Sequence, residues 1–164
     1  MDNQLHYPEA RILIVDDEPP NIEILRRALR QVGYTCVEGI TDPRRMPSLL
    51  TEFEPDLVLL DLLMPHLDGF EVLELIRTTI PASTYLPVLV LTADATAESK
   101  RKALAGGAKD FLTKPFDLSE VLLRIRNMLE LRELHLGLRR HNEELEDRVR
   151  ERTVELELAL GAER

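Results

Sequence analysis

The sequence predicts an α/β fold: five parallel strands in one doubly wound sheet, continued by one long C-terminal helix. Three observations predict it. Short apolar runs alternate with segments whose apolar residues recur at helical spacing. The connections between them are short, and parallel strands so joined require right-handed helical crossovers. From Ser119 to about Leu160 there is no proline and only one interior glycine, Gly137, among residues that favour helix.

Each element follows from local pattern. Residues 1–10 read as a loose lead-in, and Arg11–Val15 as the first strand. Ile22, Leu25, Leu29 and Val32 then mark a helix face, with Pro20 near its start and Gly33 ending it. Thr35–Gly39 is the second strand. Met46, Leu49, Leu50 and Phe53 give the second helix, with Pro43 near its start. Leu57–Leu60 is wholly apolar, as a strand covered on both faces must be. Phe70, Leu73, Ile76 and Ile80 give a third helix stopped by Pro81, and Val88–Leu91 the fourth strand. A helix from about Thr96 to Ala105 ends at Gly106-Gly107, where positive φ costs little. Asp110–Leu112 is a short fifth strand, and the last helix begins near Asp117 or Leu118.

The 164 residues suffice for one domain with a core and an appendage. Hydrophobic residues make up 44%, while 31% are charged, an excess that points to a solvated helical extension. The formal net charge of -9 argues against a surface that tracks nucleic-acid phosphates, so no direct nucleic-acid partner is expected. Cys36 is the single cysteine, which rules out an internal disulfide and fits a small strand residue. No apolar run approaches membrane-spanning length, and residues 1–10 lack a signal peptide's apolar core. A cytoplasmic chain with no membrane partner is the expectation.

The chemistry sits at the strand ends, where open α/β sheets carry their sites. Asp16-Asp17 follow the first apolar run, Asp61 the third, Thr92 the fourth, and Lys114-Pro115 the fifth; Met64-Pro65 to Asp68-Gly69 lie just beyond Asp61. Singly, each has an ordinary explanation. The aspartate pair would cap the next helix, Asp61 would be another cap, Thr92 a strand-end residue and Lys114 a surface charge. Together they place three carboxylates, a hydroxyl and an ammonium in one crevice. Magnesium takes oxygen ligands and keeps several waters, so one or two carboxylates suffice to hold it beside a phosphate. A carboxylate is also a competent nucleophile toward phosphorus. What remains is alignment and neutralisation of the equatorial oxygens, to which Lys114 and Thr92 are suited.

Arg11–Asn127 resembles a receiver domain of two-component response regulators. The matching stretches are Ile12-Leu13-Ile14-Val15-Asp16-Asp17-Glu18-Pro19, Asp61-Leu62-Leu63-Met64-Pro65-His66-Leu67-Asp68-Gly69, Leu91-Thr92-Ala93 and Gly107-Ala108-Lys109-Asp110-Phe111-Leu112-Thr113-Lys114-Pro115-Phe116. The resemblance implies a flavodoxin-like sheet and a phosphorylation switch in which Asp61 is the phosphoacceptor. It implies Mg²⁺ as cofactor, held by Asp17, Asp61 and the Leu63 backbone carbonyl, with Asp16 acting on the metal through water. It implies Lys114 pairing with the phosphoryl group, Thr92 as the switch hydroxyl, and a cis peptide at Lys114-Pro115. Phe111 stands at the aromatic switch position that is often Tyr; a phenyl ring lacks the phenolic hydroxyl, but the inward rotation stays open to it. Leu63 and Asp94 occupy positions that tune phosphoryl lifetime. The implied donor is a cognate histidine kinase or phosphotransfer protein. No catalysis is implied beyond the module's own phosphorylation and dephosphorylation. A stand-alone aspartyl-phosphate phosphatase would need an acid/base carboxylate two residues beyond the nucleophile, where this chain has Leu63.

The long helix carries a 3–4 alternation at Met128, Leu131, His135, Leu138, Asn142, Leu145, Val149, Arg152, Leu156 and Ala159. It predicts a parallel two-stranded coiled coil over 128–164 and hence a homodimer. Its core would be Leu131, Leu138, Asn142, Leu145, Val149 and Leu156, with Asn142 setting register. A single helix packing on a domain outside this chain is the alternative. Arg140–Thr153 is similar to stalk helices that lead from receivers into HD-GYP phosphodiesterases, histidine kinases or nucleotide cyclases. Nine Arg against eleven Asp and Glu between Ser119 and Arg164 read as a solvated face, not a DNA-binding basic region. The rival function is an adaptor with a vestigial pocket that dimerises through this helix.

Overall fold

The computed structural model describes Tyr7–Pro65 and Leu67–Glu163; the expectations for residues 1–6, His66 and Arg164 lie outside the described residues. Five strands form one parallel sheet in the order β2-β1-β3-β4-β5. They are β1 (Arg11–Val15), β2 (Cys36–Ile40), β3 (Leu57–Leu60), β4 (Val88–Thr92) and β5 (Asp110–Thr113). Between and after them run α1 (Pro19–Gln31), α2 (Met46–Glu52), α3 (Gly69–Thr79), α4 (Ala97–Ala105) and α5 (Leu118–Ala162). This is the flavodoxin-like arrangement, with the long helix in place.

The alternation of side chains along each strand sends successive residues to opposite faces, which builds two cores. On one face Leu13, Val15, Val58, Leu60 and Val90 pack against Met46, Leu49 and Leu50 of α2, Val72, Leu73 and Ile76 of α3, and Ala103 of α4. On the other, Ile12, Ile14, Leu57, Leu59, Leu89 and Leu91 pack against Ile22, Leu25 and Leu29 of α1 and Val121, Ile125, Met128 and Leu129 of α5. Strands β3 and β4 are buried throughout, which is why they read as unbroken apolar runs.

Several boundaries move. The second strand is shifted by one residue, to Cys36–Ile40, because Thr35 spends its N–H on the Pro8 carbonyl (3.0 Å) and not on the sheet. Residues 7–10 are correspondingly not loose: Ala10 is buried and Tyr7 packs on the second core. The fourth strand includes Thr92 and the fifth Thr113, which pair with each other in register. Thr96 is the N-cap of α4, its hydroxyl accepting from the Ser99 N–H at 3.2 Å. Val32 has helical spacing but is the C-cap of α1 and 42% exposed. Ile80 is likewise a cap, forced to an extended conformation before Pro81.

The division expected after residue 127 falls later. One compact unit extends to Arg132 and a second begins at Glu133. Met128 and Leu129 are buried in the second core, and Arg132 pairs with Asp56 at 3.2 Å. In the second unit every described residue from Leu138 onward is exposed. Among the described residues no helix is long and apolar enough to cross a membrane.

Candidate functional site

The sheet order puts β1 and β3 side by side, so the residues that follow them are neighbours. Val15 pairs with Leu60, and the ladder continues one step: the Asp61 N–H donates to the Val15 carbonyl at 3.0 Å. The Asp16 N–H donates to the Ile40 carbonyl of β2 at 3.2 Å. Both aspartates therefore have their backbones held by the sheet while their side chains stand beyond its edge. Asp16 is 4% exposed and Asp61 7%. With Thr92 they are the buried polar or charged residues among those described.

Lys114, the residue that follows β5, closes the group. Its ammonium donates to Asp16 Oδ2 at 3.0 Å and to Asp61 Oδ2 at 3.2 Å. The Lys114-Pro115 peptide is cis, and the Lys114 N–H donates to the Thr92 carbonyl at 2.7 Å. Burial works against the charge on Lys114. The hydrogen bond to Asp16 and the charges of Asp16 and Asp61 outweigh it, so the ammonium titrates above its ordinary value.

The other Asp61 oxygen, Oδ1, accepts from the Leu63 N–H at 3.0 Å, a local turn that fixes the carboxylate's rotation. Neither Asp61 nor Asp16-Asp17 serves as a helix cap. Asp68 caps α3 by accepting from the Glu71 N–H at 2.9 Å. Glu18 is the N-cap residue of α1 and makes no side-chain capping bond. Gly69, the first residue of α3, packs its backbone directly on Asp61–Leu62 and donates its N–H to the Leu62 carbonyl at 3.0 Å.

Asp16, Asp17 and Asp61 each offer a carboxylate oxygen, all within 4.8 Å of one another. A single ammonium does not balance three such groups. Burial, followed by the charge of Asp16, raises the Asp17 carboxyl above its ordinary value. A group so shifted binds protons more tightly when folded, so its ionisation costs stability as pH rises past the unfolded value of 3.8. A hard divalent cation relieves that cost. An all-oxygen, acid-rich donor set on this scale suits Mg²⁺ better than it suits softer metals.

Around this centre, Thr92 is fully enclosed at the end of β4, its Oγ1 accepting from the Asp94 N–H at 3.3 Å. Asp94 turns its carboxylate to Thr96 and Ser99 in the first turn of α4, and those hydrogen bonds hold its carboxyl below the ordinary range. Phe111 is buried in the first core, on β5 opposite Val90. The Leu63 side chain is 54% exposed beside Asp61. Leu131, Leu138, Leu145, Val149 and Leu156 are exposed along α5, as is Asn142.

One residue at the site belongs to no motif in the sequence. Asn21, in the first turn of α1, donates from Nδ2 to Asp16 Oδ2 at 3.3 Å and to Glu18 Oε2 at 3.0 Å. Its only signal was its place one turn after the acidic pair.

Comparison with known proteins agrees with this geometry. Residues 12–155 match the response regulator receiver domain family. The response regulator MprA of Mycolicibacterium vanbaalenii is 44% identical over 120 residues, covering 73% of this chain and 50% of that protein. The DNA-binding dual master transcriptional regulator RpaA of Synechocystis is 38% identical over 119 residues, 73% of this chain and 48% of that protein. The chain thus spans about half the length of these curated relatives. RpaA is described as DNA-binding, so the expectation of no nucleic-acid partner finds no support here. Among solved structures, a response regulator from Chloroflexus aurantiacus superposes with a TM-score of 0.68 at 32% identity, over 74% of this chain and 98% of the other. A CheY-like receiver from Methanospirillum hungatei gives 0.70 at 26%, over 76% and 97%. With the family match spanning most of its length and the acidic crevice formed at the strand ends, this chain belongs to the response regulator receiver domain family.

Proposed function

We propose that the chain is the phosphoacceptor switch of a two-component system and that Asp61 is the group phosphorylated. The observation that carries the reading is the convergence on Asp61 of Lys114, 3.2 Å away, and of two further carboxylates within 4.8 Å. The donor is a phosphohistidine on a partner kinase or phosphotransfer protein. The Asp61 carboxylate attacks phosphorus, the new bond is O–P, and the N–P bond to the donor imidazole breaks. Asp17, Asp61 and the Leu63 carbonyl would hold Mg²⁺, with Asp16 reaching it through water. The cation supplies charge neutralisation at the phosphoryl oxygens. The Leu63 N–H keeps the nucleophile in one rotamer. Lys114 moves its ammonium from the carboxylates to the incoming phosphoryl group, and Thr92 donates its hydroxyl to another phosphoryl oxygen. The reading makes the module a switch with no chemistry beyond its own phosphorylation and dephosphorylation, acting in the cytoplasm.

The test is intact mass after incubation with Mg²⁺ and acetyl phosphate. One added phosphoryl group on the native chain, and none on Asp61→Asn, is the expected result. Equal labelling of both proteins would move the acceptor elsewhere, and no labelling of a folded native chain would favour the adaptor reading.

The signal is passed to α5. Leu131, Leu138, Leu145, Val149 and Leu156 are exposed at heptad spacing with Asn142 among them, which supports a parallel dimer seam between two copies. Sedimentation equilibrium of the full chain should give twice the monomer mass, and Leu145→Glu with Val149→Glu should return it to monomer. A native chain that stays monomeric with and without beryllofluoride would remove the dimer.

A further inference from the structure

We propose that Asn21 is a positioning residue for phosphoryl transfer, because it holds the oxygen of Asp16 that Lys114 has to leave. The inference rests on Asp61 being the acceptor. It begins with the hydrogen bonds of Asp16, a carboxylate almost wholly removed from water. Oδ1 accepts from the Glu18 N–H at 2.9 Å. Oδ2 accepts from two donors, Lys114 Nζ at 3.0 Å and Asn21 Nδ2 at 3.3 Å. In the resting state the carboxylate is fully engaged.

Phosphorylation disturbs this balance at one point. The ammonium of Lys114 is shared between Asp16 and Asp61, and a phosphoryl group on Asp61 presents it with more negative charge than either carboxylate. As Lys114 shifts toward that group, Oδ2 of Asp16 loses its charged donor. A buried carboxylate oxygen stripped of all donors is penalised far more than one that keeps a neutral donor. Asn21 is that remaining donor. It sits on the rigid first turn of α1, and its second hydrogen bond, to Glu18 Oε2, keeps the amide from rotating away. Glu18 Oε2 lies within reach of the same N–H₂ group, so the amide nitrogen faces both carboxylates and the assignment of its orientation follows from chemistry. The side chain thereby lowers the penalty of the phosphorylated arrangement without touching the phosphoryl group itself.

No motif in the sequence singles out Asn21. The structure assigns it a role through geometry, since only the fold brings α1, β1 and the turn after β5 to one carboxylate.

The experiment uses the full chain as Asn21→Ala and Asn21→Ser, the latter keeping a short hydroxyl donor. Three quantities are read: Mg²⁺ affinity by calorimetry, beryllofluoride affinity at saturating Mg²⁺, and the maximal rate and half-saturating concentration for acetyl phosphate. Asn21→Ala is expected to lower beryllofluoride affinity and the maximal labelling rate about tenfold, the scale of one hydrogen bond to a charged group. Mg²⁺ affinity and the half-saturating donor concentration should stay within about twofold of the native values. Asn21→Ser should recover part of both losses. A native beryllofluoride affinity in Asn21→Ala, or a loss of Mg²⁺ affinity equal to the loss of rate, overturns the inference. So does a matching failure of Asn21→Ser accompanied by a lowered melting temperature, because that outcome assigns Asn21 to the fold alone. If the native chain itself takes no phosphoryl group, it is the assignment of Asp61 that fails.

Discussion

Replacing Lys114 with methionine is expected to destabilise the magnesium-free chain by about 2 kcal/mol at neutral pH. The estimate lies below the about 3–5 kcal/mol seen when one partner of a fully buried pair is removed, because Lys114 keeps 22% of its side chain in solvent. What remains is a crevice with three carboxylates and, among the described residues, no ion-pairing cation on Asp16 or Asp61. The pH dependence has a definite sign. A lysine whose folded pKa is raised contributes stability fully present below the unfolded value of 10.5, and that contribution fades as pH rises through the folded value. The gap between native and variant chains, measured by urea unfolding, should therefore be constant near neutrality and close as pH rises into strong alkali. Added Mg²⁺ should raise the midpoint of the variant more than that of the native chain, since the metal no longer competes with an internal ammonium. A variant as stable as the native chain without Mg²⁺ would show that the carboxylates are solvated well enough to need no partner.

Gly69→Ala should have an effect of similar size by a different route. A Cβ at this position would stand 2.5 Å from Leu62 Cα and 2.7 Å from the Asp61 carbonyl oxygen. Those are backbone atoms, with no side-chain rotation to relieve the clash. Either α3 lifts from the sheet or the Asp61–Leu62 segment moves, and overpacking of this kind costs about 3 kcal/mol at its upper end. Because the segment that would move carries Asp61, labelling by acetyl phosphate should slow even in the fraction that remains folded. Urea unfolding and intact mass on the same preparation separate the two effects. Native stability and native labelling together would mean that the α3 start has slack the structure does not show.

Some of this was legible from the chain alone, for physical reasons. Leu57–Leu60 and Val88–Leu91 carry no polar residue because helices cover both faces of the sheet, so period-2 alternation is suppressed and the run stands out. Asp16, Asp61 and Lys114 follow strand ends, and in a parallel sheet all strand ends of one polarity share one edge; the crevice could be inferred without knowing strand order. Asn21 could not, because its partner is set by the tilt of α1 against β1 and no periodicity encodes that. Val32 has the spacing of a buried residue, yet the helix ends beneath it. The division of α5 lies between Arg132 and Glu133, where the heptad pattern shows no break. Met128 continues the same 3–4 rhythm as Leu131 and Leu138, but it packs on the sheet. A repeat of apolar residues records that a helix face is covered and is silent about whether the cover is its own domain or another chain.

The exposed reach of α5 has a thermodynamic consequence. From Leu138 to Glu163 every described residue faces solvent, so in a lone chain this stretch is held by local propensity and by pairs such as Arg150 with Asp147 and Arg139 with Glu143, worth only tenths of a kcal/mol each. Tertiary packing, the main source of helix stability in proteins, is missing along the described part of this stretch. If two copies pair along this face, its order is linked to association by mass action, and the amount of helix present would depend on how concentrated the protein is. A phosphoryl group that altered pairing even slightly would be read out as structure gained or lost tens of residues away, with no rigid displacement having to travel along the helix.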